Sequence, residues 1–146
     1  MKKLCSLMVL SISLGACSAV GPKYSSVHEA IPDVAEPNGR VIYYRTYQAF
    51  GAGMKQSILL DNKIVGDSQV GGMFIVNVSP GDHISKIEHK FYPGQSTVKF
   101  TVEPGQTTYT ETWVGGSGFV GRINQTLRPA KDAVPLLNEL SVTGGL

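Results

Sequence analysis

The chain predicts an all-β protein: a small antiparallel β-sandwich with a short C-terminal helix, preceded by a signal peptide and a linker. Three observations carry this. Turn signals recur every nine to thirteen residues from position 40 onward, the rhythm of a sandwich or barrel. Charged residues make up only 16% of the chain while glycine supplies 17 of its 146 residues, a balance that suits short strands and tight turns. The segment STVKFTVE (96–103) alternates cleanly, with Val98, Phe100 and Val102 on one face and Thr97, Lys99 and Thr101 on the other.

Each element follows in order. RVIYYRTY (40–47) is rich in β-branched and aromatic residues and predicts a strand, which FGAGMK ends. QSILLDNKIVGD (56–67) predicts a hairpin folding around Asp61-Asn62, because both residue types tolerate positive φ. Gly71-Gly72 punctuates before MFIVNV (73–78). Pro-Gly pairs at 80–81, 93–94 and 104–105 mark turns around HISKIEHKF (83–91) and STVKFTVE; proline presets the first central φ and glycine supplies a positive second one. TTYTETWV (107–114) and GFVGRINQTLR (118–128) add two more strands. KDAVPLLNELSV (131–142) predicts the helix, capped by Asp132, with Pro135 in its first turn and Leu136, Leu137 and Leu140 facing the sheet.

The start of the chain gives an address. Lys2 and Lys3 precede an apolar or small-residue run from Leu4 to Leu14, followed by Gly15 and Ala16. A membrane-spanning helix needs roughly 20 apolar residues, so the run predicts an export signal over residues 1–16 instead. Leu14-Gly15-Ala16-Cys17 resembles the bacterial lipobox. That resemblance implies cleavage before Cys17, a diacylglycerol thioether on its sulfur and usually a third acyl chain on its amine. Two or three chains, at about 0.8 kcal/mol per buried methylene, hold a protein firmly in a membrane. Ser18 in place of aspartate implies an outer-membrane destination, facing the periplasm. Cys5 leaves with the signal, so Cys17 has no intramolecular disulfide partner.

Removing the signal takes Lys2 and Lys3 from the 13 basic residues, leaving 11 against 11 acidic ones. A chain near neutrality lacks the basic stripe that nucleic-acid binding needs. Residues 17–38, with three prolines and no sustained periodicity, predict a lipidated N-terminus and flexible linker, about 25 Å end to end as a coil; residues 39–146 form the domain.

The stretch ILLDNKIVGDSQVGGMFIVNVSPGDHISKIEH then resembles the strand–DGK–strand–G–strand–PG-x-H–strand pattern of a bacterial lipoprotein family, domain of unknown function 2846 (DUF2846). The likeness runs from about Arg40 to Leu140 and includes the glycine-rich step and leucine-bearing helix near the end. Asn62 stands where that pattern usually carries glycine. The PG-x-H hairpin is also similar to PEGA-type surface modules, which are small β-sandwiches. The resemblance implies a fold and no catalytic residues.

Chemical motifs fare poorly. Gly116 to Gly121 matches G-x-G-x-x-G, but RINQTLRP follows where a phosphate-binding helix should begin. Ser117 lacks the glycine at 119 that a nucleophile elbow requires. His83 and His89 on one strand face lie roughly 20 Å apart, too far to share a metal, and His28 belongs to the linker. His83 is expected to make a local hydrogen bond at the Pro80-Gly81 turn. Of Tyr43 and Tyr44, one should face the core and the other solvent or a partner. Tyr47 and Trp113 complete a candidate aromatic patch.

The expectation is a non-enzymatic, membrane-anchored envelope lipoprotein without cofactor or metal, lipidated at Cys17. It would act as a binding or structural module for an envelope protein, with the 48–54 loop and the 115–121 glycine segment as contact surfaces. The alternative is a periplasmic inhibitor or immunity-type protein that neutralises a toxin or lytic enzyme.

Overall fold

The computed structural model describes residues 18–88, 95–116 and 121–144. The signal, Cys17, His89, the Pro93-Gly94 turn, Ser117 and Gly118 lie outside the described residues. Two sheets pack as a sandwich. One contains β1 (Gly39–Arg45), β4 (Gly72–Val78), β7 (Thr107–Gly115), β8 (Arg122–Arg128) and β9 (Ser141–Val142), in the order β8-β7-β1-β4-β9. The other contains β2 (Gln56–Leu60), β3 (Lys63–Ser68), β5 (Gly81–Glu88) and β6 (Gln95–Val102), in the order β3-β2-β5-β6.

The chain visits the sheets alternately, leaving β1 for the β2–β3 hairpin, returning for β4, leaving again for β5–β6 and returning for β7. That itinerary sets β7 parallel to β1, with Tyr43 opposite Thr110. The short β9 runs parallel to β4. The five-stranded sheet is therefore mixed rather than wholly antiparallel. The β2–β3 hairpin turns at Asp61 and Asn62, with φ of 50° and 66°, the left-handed pair that a two-residue type I′ turn requires. Pro104-Gly105 makes a type II turn: Gly105 has φ 72° and the Gln106 N–H donates to the Glu103 carbonyl at 3.0 Å.

The inner core between the sheets contains Val41, Tyr43, Ile58, Leu60, Phe74, Ile87, Phe100, Val102, Val114 and Ile123. Tyr43 and Phe74, cross-strand neighbours, stack with ring centroids 5.1 Å apart. A second core lies on the outer face of the five-stranded sheet. Ile42, Tyr44, Met73 and Val142 meet Ala133, Leu137 and Leu140 there.

This second core corrects three expectations. Tyr43 and Tyr44 do face opposite sides, but both are buried, because the outer face is covered as well as the inner one. Burial pushes both phenols up to about 12. The helix, α2, is shorter than expected and begins earlier, at Ala130–Leu137. Pro129 rather than Asp132 occupies its N-cap, its carbonyl accepting from the N–H groups of Asp132 and Ala133. Pro135 therefore falls in the second turn, and Ser141-Val142 return to the sheet as a strand. Leu136 points outward and is 42% exposed; Ala133, Leu137 and Leu140, at positions i, i+4 and i+7, form the buried stripe.

The third concerns residues 18–38, expected as a free coil. Ala19 is buried and its N–H donates to the Val70 carbonyl at 2.9 Å. Val142 donates to Pro22 and Tyr24 donates to Leu140, so the segment adds backbone pairing beside β9. A single helical turn, α1 (Tyr24–Val27), then lays Tyr24 and Val27 against the second core.

Candidate functional site

One end of the sandwich gathers the features expected to matter for binding. The C-terminal end of β1, the 46–55 loop, the 69–71 turn, the end of β7 and Ala19 converge there. The 48–54 loop and the start of the 115–121 segment, far apart in sequence, are brought side by side. Gln48 fastens them: its Nε2 donates to the Val114 carbonyl at 2.9 Å and its Oε1 accepts from the Val114 N–H at 3.1 Å.

Arg45 holds the loop from beneath. It is 1% exposed, yet among the described residues it has no carboxylate in ion-pair range. Its guanidinium donates instead to two loop carbonyls, Nη2 to Gly51 at 2.7 Å and Nη1 to Met54 at 2.9 Å. Burial pulls its pKa below the ordinary value, but an arginine remains a cation in a protein. The surrounding side chains, including Ser68, Thr112 and Phe74, leave no space for a ligand beside it. Arg45 is thus a clamp on the loop. Nothing in RVIYYRTY distinguishes it from a surface arginine.

Above the clamp the loop presents Tyr47 and Phe50, which are 55% and 49% exposed. Lys23 donates to the Tyr47 hydroxyl at 3.0 Å and to the Glu139 carbonyl at 2.6 Å. Gly71, at φ 69°, lies under the Tyr47 ring, where a Cβ would come within 2.5 Å of it. Trp113, expected with Tyr47 in an aromatic patch, is 42% exposed near the end of β7. Its indole lies over Gly115.

Comparison with protein-family models, with curated proteins and with solved structures gives no match.

Of the motifs weighed for chemistry, Ser117 and His89 lie outside the described residues. Beyond Gly121 the chain enters β8, paired antiparallel to β7 from Gly115 opposite Arg122, so no helix opens after the glycines to receive a phosphate. Among the described residues no group of three His, Cys, Asp or Glu side chains is placed to hold a metal, and no helix is long and apolar enough to cross a membrane. A groove of about 550 Å³ is lined by Phe100, Tyr109, Leu127 and Arg128, but Arg128 is tied to Glu111 at 2.6 Å.

His83 lies at the opposite end and fastens two turns together. Its Nδ1 meets Asp61 Oδ2 at 2.7 Å and its Nε2 meets the Ser79 carbonyl at 2.8 Å. The Ser79 contact is the local bond expected from sequence; the Asp61 contact is additional. Both partners are acceptors, so this geometry favours a proton on each ring nitrogen. Burial alone would lower the His83 pKa; hydrogen bonds to Asp61 and Ser79, with the charges of Asp61 and Asp82, outweigh it and raise the pKa above 6.5. Burial would raise Asp61, but the Ile84 N–H, His83 and Lys63 hold it below 3.8.

Stability from the raised histidine is complete below 6.5 and is lost as pH rises through its folded pKa. Stability from the depressed aspartate is complete above 3.8 and is lost as pH falls through its folded pKa. The urea midpoint of the native protein should therefore exceed that of His83→Gln most between about pH 4 and 6.5, with the gap narrowing at higher pH. A gap that widens above neutrality would contradict this.

Proposed function

We propose that this chain is an envelope lipoprotein, anchored through acyl chains on Cys17 and acting as a non-enzymatic binding or structural module. The observation that carries the reading is the run Leu14-Gly15-Ala16-Cys17 at the end of a short apolar signal. The sandwich supports a binding role, since one of its ends is a loop held in shape by Arg45 and Gln48 that presents exposed Tyr47 and Phe50. Ser18 supports an outer-membrane location facing the periplasm, and the DGK-like and PG-x-H turns support kinship with the lipoproteins of domain of unknown function 2846. The partner on this reading is a second envelope protein.

The test is the intact mass of the protein isolated from membranes, with Cys17→Ala alongside. A mass of residues 17–146 plus acyl groups, absent from the mutant, is expected, with the mutant lost from the detergent-extracted membrane fraction. An unacylated soluble product from the native sequence would refute the anchor.

A further inference from the structure

Resting on the reading that Cys17 is acylated, we infer that the domain lies directly on the bilayer that holds the anchor, with Val20, Tyr47, Phe50 and Trp113 in the headgroup layer. The leash decides the distance. Ala19 is already buried and bonded to Val70, and Cys17 is only two residues away. Successive Cα atoms are 3.8 Å apart, so the Cys17 Cα lies within about 7.6 Å of the domain. The headgroup region on one side of a bilayer is itself about 5–7 Å deep. A tether of about 25 Å would let the domain stand off in water; this one does not.

The face turned toward the anchor has the chemistry of that layer. Among the described residues, the exposed aromatic side chains Tyr47, Phe50 and Trp113 all belong to this end of the sandwich. Val20, at 87% the most exposed large apolar side chain among the described residues, follows Ala19 directly. Tyrosine and tryptophan favour the membrane–water boundary, where the ring is buried and the polar edge stays hydrated. Lys23 sits beside Tyr47, its Nζ 5.4 Å from the ring centre; two of its three N–H groups are held by the Tyr47 hydroxyl and the Glu139 carbonyl, which leaves one for a lipid phosphate. Of the other exposed aliphatic residues, Ile64 follows the Asp61-Asn62 turn at the opposite end and Leu127 lies near the far end of β8. Arg45 and Gln48 give the aromatic loop a fixed shape, so it meets lipid without an ordering penalty.

Trp113 is the sole tryptophan of the chain and reports on this directly. The acylated protein is placed in vesicles of phosphatidylethanolamine and phosphatidylglycerol, with and without lipid brominated on the acyl chains. Bromolipid is expected to quench Trp113 and aqueous iodide to quench it several-fold less than in soluble Cys17→Ala protein. Val20→Ser and Phe50→Ser in the acylated protein should restore iodide access while the acylated mass stays unchanged. An acylated protein whose Trp113 remains as open to iodide as the soluble form overturns the orientation and leaves the anchor standing. Shielding that follows protein density instead of bromolipid overturns it in favour of a second copy or protein partner. An unacylated mass overturns it one step earlier, at the anchor itself.

Discussion

Arg45→Ala is expected to lower the unfolding free energy by about 3 kcal/mol, seen as a shift of the urea midpoint with little change in slope. Two charge-assisted hydrogen bonds disappear; the Met54 carbonyl loses its Arg45 donor, and the Gly51 carbonyl keeps only the Met54 N–H at 2.9 Å. A cavity opens between Tyr43, Ser68, Thr112 and Phe74. Against these losses stands one gain, because an unpaired cation no longer has to be held out of water. The losses win, since the guanidinium fork spans two acceptors at once. Arg45→Lys should recover less than half of the loss, as one ammonium cannot reproduce the fork's planar geometry. Arg45→Met refills the volume without the donors and should do no better. If Arg45→Met were as stable as the native protein, packing and not the clamp would be the reason for the arginine.

Gln125→Ala should cost about 2–4 kcal/mol, although glutamine in a strand rarely matters so much. Gln125 projects from β8 across the sandwich into the other sheet. Its Oε1 accepts from the Ser85 hydroxyl at 2.7 Å, and its Nε2 donates to the carbonyls of Ser85 and Ser96 at 2.9 and 2.8 Å. The Gln125 N–H adds a bond to the Ser96 hydroxyl at 2.9 Å. Ser85 is fully buried, so truncation leaves its hydroxyl without that acceptor and without water. Gln125→Glu sharpens the test. Near neutrality its carboxylate would face two carbonyl oxygens and should destabilise more than alanine does. Burial and those carbonyls would raise the folded pKa of the new acid, so its stability should recover relative to Gln125→Ala as pH falls and the acid protonates. A pH-independent difference between the two variants would show that the Nε2 bonds are not what holds the sheets together.

How much of this was legible depends on where each residue's reason lies. Asp61-Asn62 announced its turn because left-handed φ is a local property of those residue types. Val98, Phe100 and Val102 announced their face because one side of that strand packs inward and the other meets water. Arg45 and Gln125 were silent. Each is a polar residue whose partners come from distant segments, and nothing nearby shows that its environment is dry. The docking of residues 19–27 was silent for a different cause: it proceeds largely through backbone bonds to Val70, Leu140 and Val142, which leave no side-chain period to read. Tyr44 was misjudged with it, since a strand covered on one face was assumed. The adjacency of the 48–54 loop and the end of β7 depends on the parallel β1–β7 pairing, which neither strand's sequence declares.

Gly72 carries a practical consequence. A Cβ placed there would meet Ala19 at 2.8 Å and the Thr143 methyl at 3.4 Å, so the first and last described segments of the chain flank one α-carbon. A fluorescent protein or affinity tag joined beyond Thr143 would crowd the end of the sandwich that carries Ala19. The Pro104-Gly105 turn, whose Gly105 N–H bonds back to Asn38 at the start of β1, lies at the far pole. A reporter spliced into that turn would project from the pole opposite Ala19 and leave the Tyr47 and Phe50 end of the sandwich free.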